Sequence, residues 1–144
     1  MTTEKDGPPG ESSGAKQGQA WRQLGVASGK ALRVLVVDDD EDVTAAICLM
    51  LETFGYRAEA VHNADEVLLA VERFVPQILL VDIGLPGRSG FEVALELQAH
   101  QRRTEMRIIA LTGSADEPSA GALFDRWLIK PVSTEELLRA LRAI

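Results

Sequence analysis

An alternation that begins near Ala31 and runs to the end of the chain narrows the fold more than any other feature. Short apolar runs are separated by longer segments whose apolar residues recur at helical spacing. The runs are Val34–Val37, a weaker one at Arg57–Val61, then Ile78–Val81, Ile108–Leu111 and Trp127–Ile129. Four of these five are almost unbroken, the pattern of strands covered on both faces. Between them, Val43, Ile47, Met50, Leu51 and Phe54 form a stripe that Gly55 is placed to stop. Asn63 precedes Glu66, Ser89 precedes Glu92 and Ser133 precedes Glu136 by the spacing of a helix cap. The last helix puts Leu137, Leu141 and Ile144 on one face. Strand, helix, strand in repetition implies right-handed crossovers, and so an α/β, doubly wound parallel sheet over residues 31–144. Pro118 and Gly121 leave room for only a shortened fourth helix between Gly113 and Phe124.

Residues 1–30 have another texture. They hold half of the 12 glycines and the adjacent Pro8 and Pro9, with only Trp21, Leu24 and Val26 as sizeable apolar groups. Such a segment is expected to be a flexible N-terminal tail, with at most a short helical turn around Trp21. Of the 15 Lys/Arg and 22 Asp/Glu, the tail carries four and three, which leaves 11 and 19 for the domain. A net charge of minus eight repels phosphate backbones and argues against direct nucleic-acid binding. No apolar run approaches the roughly 18 residues of a membrane span, and the first residues lack the apolar centre of a secretory signal. A cytoplasmic protein without membrane insertion is therefore expected. Cys48 is the single cysteine, and with two histidines the chain cannot build a Cys/His metal site. A bound metal would have to be a hard, oxygen-ligated one.

In open parallel sheets, ligands bind at the carboxyl ends of the strands, and the residues that follow the apolar runs are all polar. Val37 is followed by Asp38, Asp39 and Asp40, Val81 by Asp82, Leu111 by Thr112, and Ile129 by Lys130. Taken singly, each could be a turn former or cap, and Asp40 to Asp42 would suit the first turn of the following helix. Lys130 resists that reading. It is the only lysine in residues 31–144, beside ten arginines, and it is set between Leu128-Ile129 and Pro131. A lysine among apolar residues needs an anion, and the acids at neighbouring strand ends supply one. Clustered carboxylates raise the opposite problem, because two of them about 4 Å apart repel by ~1 to 4 kcal/mol. One lysine cannot neutralise three, so either a carboxyl titrates upward or a cation binds, and Mg²⁺ suits an all-oxygen set at an open edge. Mg²⁺ with an ammonium would stabilise a transferring phosphoryl group, for which a carboxylate can serve as nucleophile.

VLVVDDDEDV, LLVDIGLPGRSG, IIALTG and WLIKPV, in that order, resemble the signature segments of response-regulator receiver domains over about residues 32–144. The resemblance implies a flavodoxin-like sheet of order 2-1-3-4-5 and a single-domain phospho-acceptor of two-component signalling. Asp82 would accept the phosphoryl group from a histidine kinase or histidine phosphotransferase. Asp39 and Asp82 would ligate Mg²⁺ directly, Asp38 largely through water, and Gly84 through its carbonyl. Lys130 would pair with the phosphoryl oxygens, after a cis Lys130–Pro131 bond that aims its ammonium. Thr112 would move onto the new phosphoryl group and Trp127 would change its packing in response. The signal would then pass by protein contact to a downstream protein target. The sequence departs from the family in a shorter stretch between Thr112 and Lys130, in Leu123 where glycine is frequent, and in the bulk of Trp127. Gly84 and Ser114 are small, which implies an unobstructed but poorly assisted hydrolysis.

The alternative from the enzyme class is a small haloacid dehalogenase-like phosphatase using Asp38 and Asp40. It leaves Asp82 without a role, and no further acidic pair follows Lys130 where such enzymes need one. A receiver-like adaptor that is never phosphorylated would not need the complete acid, Thr and Lys set. Asp38 to Asp42 is no calcium loop, since Val43 replaces its glycine. His62 and His100 read as surface histidines away from the signature segments, and Cys48 as a small core residue.

Overall fold

A computed structural model describes residues 31–113 and 123–143. The expected tail, the shortened helix between Gly113 and Phe124, Ser114 and Ile144 lie wholly or largely outside these residues. Strand β1 (Arg33–Val37) is followed by helix α1 (Glu41–Thr53), β2 (Arg57–Val61), a 3-10 turn at Ala64–Glu66, and α2 (Val67–Phe74). Then come β3 (Ile78–Asp82), α3 (Gly90–Leu97), a 3-10 turn at Arg103–Glu105, β4 (Arg107–Thr112), β5 (Arg126–Ile129) and α4 (Thr134–Arg142). All pairings are parallel, as the alternation of the sequence implies, and the order is β2-β1-β3-β4-β5, as the family resemblance implies.

The caps follow from the sequence with differences of detail. Asp40 opens α1 by accepting the amides of Asp42 and Val43, and α1 gives way to Gly55 at φ 95°, a conformation that favours glycine. Ser133 and Glu136 form a complete capping box at α4, while Ser89 caps α3 through the Glu92 amide alone. Asn63 caps the 3-10 turn rather than α2, and the Glu66 carboxylate reaches back one residue further than expected, to the His62 amide.

Two apolar layers hold the sheet. Val34, Val36, Ile78, Leu80, Ile109 and Leu111 pack beneath α1 and α4. Leu35, Val37, Leu79, Val81, Ile108 and Ala110 pack beneath α2 and α3. Strict alternation along β1, β3 and β4 thus feeds both layers, which is why those runs are unbroken. Strand β5 departs from that expectation. It is an edge strand that places Trp127 against one layer and Leu128 against the other, and leaves Ile129 49% exposed. A run of three apolar residues does not distinguish an edge from a centre. Among the described residues, no helix is long and apolar enough to cross a membrane.

Candidate functional site

Strand register builds the site before any side chain is considered. Val37 lies beside Val81, so Asp38 and Asp82 fall at one level on adjacent strands. Both stand two residues beyond members of the α1/α4 layer, Val36 and Leu80, and alternation turns them to that same side. Lys130 stands two residues beyond Leu128, also of that layer, and its amide prolongs the ladder by donating to the Thr112 carbonyl at 2.7 Å. Parity therefore accounts for the meeting of residues 92 and 48 positions apart. Lys130 Nζ lies 3.0 Å from Asp38 Oδ2 and 3.3 Å from Asp82 Oδ2. The Lys130–Pro131 peptide is cis.

The two acids differ from their neighbours in access to water. Asp38 is 1% exposed and the Asp82 side chain 9%, whereas Asp39 is exposed. Asp38 Oδ1 accepts the Asp40 amide at 3.0 Å, and Asp82 Oδ1 accepts the Gly84 amide at 2.9 Å. Oxygens of Asp38, Asp39 and Asp82 all lie within 4.8 Å of one another. Partial burial disfavours the Lys130 ammonium, but the Asp38 hydrogen bond and the charges of Asp82 and Asp38 outweigh it and raise its pKa. One cation still faces three carboxylates. That excess of negative oxygen fits a small hard divalent cation, for which each acid keeps unused lone pairs.

Asp40, by contrast, spends its carboxylate on capping α1. Thr112 closes β4, half-buried, and follows the same parity as Ala110 and its register partner Trp127, in the opposite layer. Trp127 is half-buried, 4.8 Å from the ring of Phe124 and 6.1 Å from that of Phe91. Phe91 belongs to α3, which follows the loop that leaves Asp82, so this aromatic trio links that loop's helix to the edge strand. No pattern in the sequence singles out Phe91 and Phe124, which become neighbours only through the sheet order.

Both histidine expectations need correction. His62 stands just past β2, and its Nε2 lies 3.0 Å from the hydroxyl of Thr44, a buried residue of α1 that directly follows the first signature segment. His100 folds back from the end of α3: its Nδ1 accepts the Arg102 amide, and Nε2 meets the Glu72 carboxylate at 2.6 Å, with the side chain only 12% exposed. Cys48 packs at the margin of the α1/α4 layer. Burial first, then Glu52 and Glu59, push its thiol up to about 11, which keeps it protonated and poorly nucleophilic at neutral pH.

Comparison with known proteins now decides the family. The model of the response regulator receiver domain matches residues 34–142. The chain belongs to that family. An uncharacterised 14.6 kDa protein of Leptolyngbya boryana is 34% identical over 113 residues, which cover 76% of this chain and 86% of that one. The phosphate regulon transcriptional regulatory protein PhoB of Rhizobium meliloti is 29% identical over 118 residues, 78% of this chain, and the chain spans only 51% of its length. Among solved structures, a CheY-like receiver domain protein of Methanospirillum hungatei is 29% identical with a TM-score of 0.70, covering 79% of this chain and 93% of that one. The receiver domain is a signalling domain of two-component systems, and the present chain carries its fold.

Proposed function

We propose that this receiver domain is a phosphorylated switch in which Asp82 is the acceptor. The observation that carries the reading is the contact of Lys130 Nζ with Asp38 and Asp82, beside the exposed Asp39, at the carboxyl rim of the sheet. An Asp82 oxygen attacks phosphorus, and the bond from phosphorus to the donor's nitrogen or oxygen breaks with its electron pair leaving on the donor. Lys130 then exchanges its contact with Asp82 for the phosphoryl oxygens while keeping Asp38, whose burial holds the ammonium in place. Asp38, Asp39, Asp82 and the Gly84 carbonyl are the groups that would hold Mg²⁺, which neutralises charge on the transferring oxygens when bound. Thr112 supplies a hydroxyl at the end of β4, and Trp127 is the side chain that would report the change through Phe91 and Phe124.

The donor on this reading is a phosphohistidine of a histidine kinase or phosphotransferase in the cytoplasm, and the output is protein contact. The phosphatase alternative loses its second acid, because Asp40 is engaged in the α1 cap. Incubation with phosphoramidate or acetyl phosphate and Mg²⁺ tests the reading. A base-labile, acid-stable adduct of one phosphoryl group is expected on intact-mass analysis, and its persistence in Asp82→Asn would refute the assignment. Steady turnover of phosphomonoesters by Asp82→Asn would restore the phosphatase.

A further inference from the structure

The charges of the domain are sorted by end. The acids of the site gather at the carboxyl rim, whereas nine of the ten arginines of residues 31–144 stand at the opposite, amino end of the sheet. Four are the first residues of their strands: Arg33 of β1, Arg57 of β2, Arg107 of β4 and Arg126 of β5. Arg73, Arg139 and Arg142 lie in the last turns of α2 and α4, which run back from the rim, and Arg102 and Arg103 lie at the turn before β4. Only Arg88 is elsewhere.

Five of the nine are exposed without a counter-charge. Among the described residues, no carboxylate lies within ion-pair distance of Arg57, Arg107, Arg126, Arg139 or Arg142. The acids of this end are held by other groups: Glu59 by Arg73, Glu72 by His100, Glu105 by Arg102 and Asp125 by Arg103, with Glu96 turned to Arg88. Glu52, in the last turn of α1, is the exception. Register spreads the arginines over both sides of the sheet. Arg57 pairs with Arg33 and shares the parity of Leu35, so it turns to the α2/α3 side, where it lies over the ring of Phe74. Arg107 pairs with Ile78 and Arg126 with Ile109, both of the α1/α4 layer. From β2 to β5 the row crosses four strand spacings, ~19 Å.

Tyr56, Met106, Leu138 and Leu141, which adjoin these arginines in the chain, are buried, and Trp127 is half-buried. A protein interface is built on exposed apolar or aromatic anchors, and single-stranded nucleic acid stacks on exposed rings; the row offers neither. A sheet of lipid headgroups needs neither, since charge alone meets it and guanidinium pairs with phosphate through two hydrogen bonds. A flat anionic surface also meets groups on both sides of the sheet at once, which a rod of nucleic acid does only in part. The negative net charge of the domain does not oppose this, because the five residues of β1 hold the acidic rim ~17 Å from the strand starts, about twice the screening length of ~8 Å at physiological salt.

We infer that the amino end of the sheet docks on an anionic bilayer surface, with Arg57, Arg107, Arg126, Arg139 and Arg142 on the headgroups and no apolar group inserted. So docked, the chain turns Asp38, Asp82 and Lys130 away from the bilayer, toward solution. The docking is independent of phosphorylation at Asp82. Co-sedimentation of the full chain with vesicles of phosphatidylserine and phosphatidylcholine, against phosphatidylcholine alone, tests it. Binding is expected only to the acidic vesicles, and it should vanish at ~1 M NaCl, where the screening length is about 3 Å. Arg107→Gln/Arg126→Gln should lower the partition coefficient roughly fivefold per arginine removed, whereas Arg88→Gln should leave it unchanged. Equal binding to the neutral vesicles, or unchanged binding of the double variant, would overturn the inference. So would binding to duplex DNA in place of the vesicles at equal phosphate concentration, which would give the row to nucleic acid. In the parent chain, a nitroxide on the lipid headgroup provides a second measurement: the amides of Arg57, Arg107 and Arg126 should broaden before those of Asp39 and Gly84, and the reverse order would overturn the inference equally.

Discussion

Two clusters of like composition stand at the two ends of the loop that joins β3 to α3, each with one cation and three carboxylates. At the start, Lys130 faces Asp38 and Asp82 with Asp39 beside them. At the end, Arg88 reaches Asp65 at 3.2 Å, Glu96 at 2.7 Å and Glu92 at 3.8 Å. What separates them is water. The Asp38 and Asp82 side chains are 1% and 9% exposed, against 84%, 58% and 40% for Asp65, Glu92 and Glu96. Solvent and salt screen the second cluster, so its surplus acid has little consequence and its Arg88 is an anchor. In the first cluster two of the three acids are held out of water beside a single ammonium, so their surplus charge is screened far less. Burial, and not the count of charges, makes one of the two a site.

The largest expected effect comes from removing the buried cation. Lys130→Met leaves Asp38 and Asp82 facing each other unpaired. Breaking a fully buried pair costs ~3–5 kcal/mol, and because the Lys130 side chain is 31% exposed the expected loss is about 2 kcal/mol. Urea unfolding of parent and variant without divalent cations measures it. A midpoint unchanged by the substitution would mean that Lys130 does not hold the acids together.

That contrast also marks what can be read from the sequence. The strand ends, the parallel sheet and the convergence of Asp38, Asp82 and Lys130 are legible because a period of two and a polar residue after each apolar run are local patterns. Asp40 shows the opposite case: as a sequence position it is one more acid of the rim, and only its hydrogen bonds to Asp42 and Val43 make it a cap. Gly90 is likewise visible only as part of a motif. A Cβ there would lie 2.6 Å from the Asp82 carbonyl oxygen and 2.8 Å from the Ile83 Cα, so the start of α3 can press against the end of β3 only with glycine at that position. The Arg88 network, the contact of His62 with Thr44 and the Phe91–Phe124–Trp127 trio depend on how crossovers place separate elements, which no local spacing encodes.

A smaller effect should follow from adding or relieving charge at the first cluster. A cation that binds only the folded state stabilises it by ~1.4 kcal/mol at about ten times its Kd, so millimolar Mg²⁺ is expected to raise the melting temperature of the parent chain. Asp39→Asn should stabilise the chain without metal by about 1 kcal/mol, the lower end of the repulsion between close carboxylates, because Asp39 is exposed. The same variant should lose most of the Mg²⁺ response. Thermal melts of both chains with Mg²⁺ and with EDTA check this. An equal response in parent and variant would place the cation elsewhere.

The smallest effect is expected at the second cluster, and it makes the comparison sharp. Hydrogen bonds that Arg88 donates to Glu96 and Asp65 hold its guanidinium firmly protonated, but protonation of an arginine is not in question at any ordinary pH. Its side chain is 37% exposed, and each partner is exposed further. Arg88→Ala should therefore leave the thermal midpoint within the scatter of ordinary surface substitutions. Any difference from the parent should vanish near ~1 M NaCl, where screening acts over about 3 Å. The Mg²⁺-induced rise in melting temperature should be the same in Arg88→Ala as in the parent, because Arg88 anchors the far end of the loop while Asp82 is fixed by its own strand. Loss of the Mg²⁺ response in this variant would show that the two clusters act as one, and that the Arg88 anchor sets the position of Asp82.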